Sequence, residues 1–213
     1  NTAKVGTVSG TTITYGTPFV YYSSNGDRFP KAVNQPGTGY VFVASWYGSS
    51  GSQLNVKTLK VTGTTVTNAA GAQYFFPGTH RKHFVFWNAT AGRWVCIGFS
   101  HSGSNRGLRV ISGLPSAQGV LTLSSQIHAG YQTIDDNSFA FYDPGEDAYC
   151  ALYRNTSYQR YKAKVYLNSS GVPQISQTTM GGSDPSIGNS PGGFYNHSTQ
   201  DLVFCDFDSQ LRY

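Results

Sequence analysis

The feature that most constrains this chain is a period. Cys96, Cys150 and Cys205 stand 54 and then 55 residues apart, and Phe42 lies 54 residues before Cys96. Each sits in a strongly apolar stretch, residues 40–46, 94–99, 148–153 and 202–207. A short polar turn precedes each stretch, opening at Asn34, Asn88, Asp143 or Asn196, and these residues are 54, 55 and 53 apart. Asn and Asp open tight turns because their side chains accept a hydrogen bond from the backbone just ahead. Self-similarity at about 50 residues is the mark of a repeat architecture.

A second recurrence marks the rest of the unit. Gly10, Gly63, Gly113 and Gly171 each follow a Ser, or a Thr in the case of Gly63, and the stretch Val8 to Thr14 matches Val61 to Thr67 almost residue for residue. The first full unit then reads as four strands, near residues 29–34, 39–47, 53–62 and 64–76, joined by tight turns. Four strands repeated at this interval make a propeller blade. The second strand of each unit is a continuous apolar run, as expected for a strand covered on both faces, while the third, 53–62, alternates polar and apolar. A β-sandwich is the competing architecture, and it gives no reason for the regular spacing.

The expected fold is therefore an all-β propeller of about four blades in a single domain, 1–213, with units near 22–76, 77–126 and 127–178. The fourth unit, 179–213, is expected to be completed by N-terminal strands from 1–21. Composition agrees: 25 Gly, 31 Tyr, Phe and Trp together, and one Glu leave little material for helices. No run of about 18 apolar residues exists to span a membrane as a helix. The first residue is not Met, which predicts a processed chain or a segment of a larger one.

Residues Val5 to Thr17 also resemble a stretch, V-x-T-V-S-G-T-x-I-x-aromatic-G-S/T, that recurs once per blade in propeller repeats of bacteriophage tail-fibre and other virion-associated proteins. The resemblance implies a non-enzymatic structural or receptor-binding module of a virion. Its partners would be other virion proteins or a host surface glycan, with room for a homo-oligomer within the particle. A free-standing carbohydrate-binding lectin is the first alternative, and a glycan-cleaving propeller enzyme the second.

Catalytic motifs are sparse. A nucleophile elbow, a Walker loop, a dinucleotide-binding glycine loop and an H-E-x-x-H helix are all missing, so no cofactor is expected. Asp143, Glu146 and Asp147 fall in a turn, and Asp206 reads as a buried structural acid. The three cysteines are expected to be small buried hydrophobes at equivalent places on second strands, with no disulfide between them. No metal site is expected, since the His80 and His83 pair has no further ligand near it in sequence. Asn88 opens a formal glycosylation sequon, but turn chemistry explains it. The net charge of +5 is spread from Lys4 to Arg212, which argues against nucleic acid as the partner.

Blade topology puts the loops from fourth to first strand and those from second to third strand on one face. These loops are residues 23–28, 77–83, 126–137 and 180–192, with 48–52, 101–107, 155–160 and the C-terminus. Two of them concentrate charge and aromatic rings. The expected ligand-binding residues are accordingly His80, Arg81, Lys82 and His83 in one loop, and Arg154, Tyr158, Arg160 and Tyr161 at the other.

Overall fold

The computed structural model describes residues 2–21, 28–47, 53–75, 80–100, 107–129, 134–155, 160–180, 192–196, 201–205 and 211–212. The chain enters through a broken hairpin in which β1 (Thr2–Ala3) pairs with β4 (Phe19–Val20) and β2 (Gly6–Ser9) pairs with β3 (Thr12–Tyr15). The first blade follows as β5 (Arg28–Gln35), β6 (Tyr40–Tyr47), β7 (Gln53–Thr62) and β8 (Thr65–Phe75) in simple antiparallel order. The second runs through β9 (His80–Asn88), β10 (Arg93–Ser100), β11 (Gly107–Pro115), β12 (Leu121–Leu123) and β13 (Ile127–Ala129), the last two sharing the edge of β11. The third is β14 (Ile134–Asp143), β15 (Ala148–Asn155), β16 (Arg160–Leu167) and β17 (Pro173–Met180). A last sheet holds β18 (Gly192–Asn196), β19 (Asp201–Cys205) and β20 (Leu211–Arg212).

Successive first strands β5, β9, β14 and β18 neighbour one another from blade to blade, so they form the inner edge of a propeller. The all-β expectation and the blade order hold, and the sheets form an open series. The expected closure does not hold. β20 takes the edge of β19, with Leu211 opposite Cys205, while among the described residues the N-terminal strands pair only among themselves. They pack instead on the first blade, where Ala3, Val5, Phe19 and Tyr21 meet Val43, Leu59 and Val66.

Two buried seams join the blades. Between the first and second, Phe42, Ala44, Leu54 and Val56 meet Trp94, Cys96, Ile111 and Leu121. Between the second and third, Val95, Ile97, Phe99, Leu108 and Val110 meet Tyr149, Ala151, Tyr153, Tyr161 and Val165. A fully buried side chain of this size contributes roughly 1.5–3 kcal/mol. The alternation of β7 proved less open than its sequence suggests, because its polar residues are buried and partnered. Ser45 Oγ donates to Asn55 Oδ1 at 3.0 Å, and Thr58 Oγ1 to the Gly119 carbonyl at 2.8 Å.

Register corrects the cysteine period. Gln35, Asn88, Asp143 and Asn196 close their first strands opposite Tyr40, Arg93, Ala148 and Asp201, so the first turn opens after Gln35 and not after Asn34. On that register Phe42 and Cys150 correspond, while Cys96 lies one residue further on and Cys205 two. One residue along a strand reverses the face. Phe42 and Cys96 therefore meet across one seam from opposite sheets. Cys96 and Cys150 are free thiols, as expected, and burial raises both pKa values, that of Cys150 to about 11.

The blades are clamped at one end. The turn between β11 and β12 carries Gly119, and that between β16 and β17 carries Gly171, with the same pair of backbone bonds in each: Ser116 N to Val120 O with Gly119 N to Ser116 O, and Asn168 N to Val172 O with Gly171 N to Asn168 O. Gly119, not the strand residue Gly113, is the counterpart of Gly171. Each turn presents carbonyls to the preceding blade. Tyr40 Oη donates to Ala117 O at 2.9 Å beside the Thr58 bond, and one blade on Arg93 donates to Ser170 O at 3.0 Å and Ser112 Oγ to Gly171 O at 2.6 Å. Both glycines are obligatory. Their φ values are +79° and +73°, and a Cβ would meet the Tyr40 ring at 2.8 Å or Arg93 Nε at 1.9 Å.

Candidate functional site

The opposite end, where second strands finish and third strands begin, has a different chemistry. Trp46 Nε1 at the end of β6, Ser100 Oγ at the end of β10, Ser138 Oγ in the middle of β14 and Tyr153 Oη near the end of β15 are buried without a hydrogen-bond partner among the described residues. Buried polar atoms are normally paired, and each unpaired one costs on the order of 1–3 kcal/mol. By strand alternation Trp46 and Ser100 face the seam between the first and second blades, and Ser138 and Tyr153 that between the second and third. Tyr153 stacks on Tyr161 at 5.2 Å between ring centroids and lies 6.0 Å from Phe99, so its hydroxyl is held on a rigid aromatic base.

His83 lies on the first-blade side of the second blade, whereas Tyr153 packs in the seam between the second and third. His83 is on β9 opposite Gly98 of β10, and Gly98 is in turn opposite Arg109 of β11, so His83 and Arg109 flank a position without a side chain. Both are buried. Strand alternation sets them on the same side as Val85 and Ile111, towards the first blade. His83 Nε2 lies 3.2 Å from the Ala44 carbonyl. A carbonyl only accepts, so Nε2 carries the hydrogen and Nδ1 is left as a lone-pair acceptor. Burial lowers the His83 pKa to about 4, the Ala44 hydrogen bond opposes this in part, and the Lys31 charge adds to it. The ring is neutral at pH 7. Burial also pulls the Arg109 guanidinium down from its ordinary value.

The expected binding residues meet different fates. His83 and Tyr161 are buried strand residues rather than exposed loop groups, and Lys82 is half-buried on β9. The side chains of His80, Arg81, Arg154 and Arg160, and the whole of Tyr158, lie outside the described residues, as do Asp206 and most of the expected loops. Residues 127–129, expected in a loop, form β13. Trp46 reads from the sequence as a candidate stacking ring, whereas Ser100, Arg109, Ser138 and Tyr153 do not stand out. Their only signal is position beside those loops. Among the described residues no group of three or more His, Cys, Asp or Glu is placed to hold a metal.

The acids of the 144–147 turn are structural. Asp147 accepts Tyr142 Oη at 2.6 Å and Asn88 Nδ2 at 3.2 Å, tying the third blade to the second, and Glu146 pairs with Lys164 at 2.7 Å on the surface. Asn88 is buried, with Oδ1 accepting Ala91 N at 2.7 Å, so turn chemistry explains it as expected.

No family model matches this chain, and no curated protein matches it significantly. Two solved structures share its fold. One is a candidate 6-phosphogluconolactonase from Bacteroides fragilis, with a TM-score of 0.65 at 12% identity over 98% of this chain. The other is the periplasmic gluconolactonase of Pseudomonas aeruginosa, with a TM-score of 0.65 at 13% identity over 99% of this chain. This fold is a β-propeller. The chain spans 58% of the length of each. Matching 98% of 213 residues to that share puts those proteins at about 360 residues, between six and seven units at this repeat length.

These neighbours overturn the expectation of a non-enzymatic virion module. Both solved propellers are named as lactonases, and nothing in the comparisons points to a tail fibre. The expectation rested on a 13-residue turn motif. That motif belongs to the fourth-strand hairpin of a blade and carries no information about the end where the unpaired polar atoms lie.

Proposed function

We propose that this chain is part of a sugar-lactone hydrolase of propeller architecture, with its reacting pocket at the open ends of the first two blades. The observation that carries this is the neutral, buried His83 beside Arg109 on the first-blade side of the second blade, with the buried Trp46 Nε1 and Ser100 Oγ facing the same seam by strand alternation. The lactonase names of the two neighbours support the choice of substrate class. A glycan-cleaving enzyme would need two facing carboxyl groups. Asp135 and Asp136 lie at this end on β14, with side chains outside the described residues. Lactone opening needs no such pair.

The reaction adds water to the ring carbonyl carbon. His83 Nδ1 accepts a proton from the water as its oxygen bonds to that carbon, and the oxyanion that forms is met by hydroxyl or indole donors and by the Arg109 charge. The carbon to ring-oxygen bond then breaks. His83 returns the proton to the leaving oxygen, giving an open-chain hydroxy acid. Trp46 offers an apolar ring edge and one donor, a combination suited to a sugar.

The test is hydrolysis of a simple aldono-δ-lactone, followed by acid release in a pH-stat against the buffer rate. Wild type is expected to exceed the buffer rate, and His83→Gln to lose on the order of 100-fold. A wild-type rate equal to buffer contradicts the proposal.

A further inference from the structure

The turns between first and second strands allow the two seams to be compared position by position. Each of these turns ends on a residue with positive φ, Gly39 at +74°, Gly92 at +61° and Asp147 at +43°, directly before Tyr40, Arg93 and Ala148. On this register Asn88 corresponds to Gln35, Tyr142 to Trp87 and Tyr149 to Trp94. The Asp147 carboxylate accepts from Asn88 of the preceding blade and from Tyr142 of its own. Its counterpart between the first and second blades is Gly92, which has no side chain. Gln35, on the same face of β5 as Val33, looks into that seam, and its Oε1 is buried without a hydrogen-bond partner among the described residues.

The two seams are therefore fastened differently. Between the second and third blades, side chains bond across from the first strand (Asn88), the second (Arg93) and the third (Ser112), and the ring pairs Phe84 with Phe139, Phe86 with Tyr149 and Phe99 with Tyr153 add to them. Between the first and second blades, Tyr40, Thr58 and Gln73 reach Ala117, Gly119 and Leu121, all on the outer strands and turn of the second blade. Nearer the inner edge, among the described residues, the bond across this seam is that of His83 to the Ala44 carbonyl. Parting the seam there wets Gln35 Oε1, Trp46 Nε1 and Ser100 Oγ, three buried polar atoms that the closed seam leaves unpaired.

His83 is 4%, Arg109 3% and Ser100 0% exposed, so a lactone does not reach them while the seam is shut. We propose that the first and second blades part along their inner strands to admit the substrate, swinging on the contacts of Tyr40, Thr58 and Gln73, while the second and third blades stay joined. What enters rests on the reaction proposed above, and the motion itself does not. Opening breaks the His83 bond to Ala44, so the closed seam fixes the tautomer that leaves Nδ1 as the acceptor.

Cys96 reports the motion, because it is fully buried and faces this seam. Labelling of the native full-length chain with a small methanethiosulfonate, located by peptide mass, is expected to reach Cys96 without global unfolding, so that its opening free energy falls well below the value from urea. Gly92→Asp puts a carboxylate where Asp147 stands one blade on. A Cβ at Gly92 meets nothing within 4 Å, and an aspartate already holds positive φ at 147. This variant should slow Cys96 labelling and lactone hydrolysis together, each by about tenfold. Asp147→Gly should lower the stability to urea and leave Cys96 labelling at the wild-type rate. Labelling of Cys96 only as fast as the whole chain unfolds overturns the proposal, and so does a Gly92→Asp variant that labels or hydrolyses as wild type does. Rapid Cys96 labelling in a chain that opens no lactone would keep the motion and overturn the reaction instead.

Discussion

The two ends of the blades solve opposite problems with similar residues. At the clamped end, Tyr40, Thr58, Arg93 and Ser112 each reach a carbonyl of the next blade, and Asn88, Tyr142 and Asp147 form a closed set. Three buried atoms here stand outside these bonds: Gln35 Oε1, Trp94 Nε1 and the Tyr149 hydroxyl, which has the Asn88 side chain beside it. At the open end, Trp46, Ser100, Ser138 and Tyr153 are buried and unsatisfied. Folding alone selects for paired polar groups. Four unpaired atoms at one end, against the inter-blade hydrogen bonds of the other, separate the part of the molecule that holds blades together from the part available for chemistry.

The comparison breaks most easily at the clamp. Gly171→Val adds a branched side chain at φ +73° against Arg93, combining backbone strain with overpacking, and should cost about 4 kcal/mol. Urea unfolding measures this directly. A loss below about 1 kcal/mol would mean that the turn can move away and that the clamp is not a rigid joint.

His83 sharpens the comparison through pH. Its folded pKa, about 4, lies below the unfolded value of 6.5, so between these values the unfolded chain binds a proton that the folded chain does not. Stability is therefore highest above pH 6.5 and falls as the pH drops to 4. The expected loss is about 3 kcal/mol, because each pH unit between the two values is worth roughly 1.4 kcal/mol. His83→Gln should flatten that part of the unfolding profile. An identical slope in the variant would place the titration elsewhere.

Much of this is legible in the sequence, and the limits are physical. The period and the apolar second strands expose the blades, because repeat spacing survives a residue or two of slippage. The cysteines mislead for the same reason. A spacing of 54 tolerates an error of one, but the side-chain period of a strand is two, so Cys96 and Phe42 fall on opposite faces. His83 reads as a loop residue because Arg81 and Lys82 precede it, although Phe84 to Trp87 continue the strand it belongs to. Ser100 and Ser112 look alike in sequence. Only the packing of the blades tells which hydroxyl has a partner.

Those two serines test the central claim most directly. They lie in one blade, both buried, with Ser112 Oγ bonded to Gly171 O and Ser100 Oγ without a hydrogen-bond partner among the described residues. The measurement is the unfolding free energy and the lactone hydrolysis rate of Ser112→Ala and Ser100→Ala side by side. Ser112→Ala should lose about 1–2 kcal/mol with its rate retained, because it leaves a clamp carbonyl unpaired. Ser100→Ala should keep or slightly gain stability and lose hydrolysis. Equal losses of stability in both variants, or full hydrolysis by Ser100→Ala, would contradict the division of labour between the two ends.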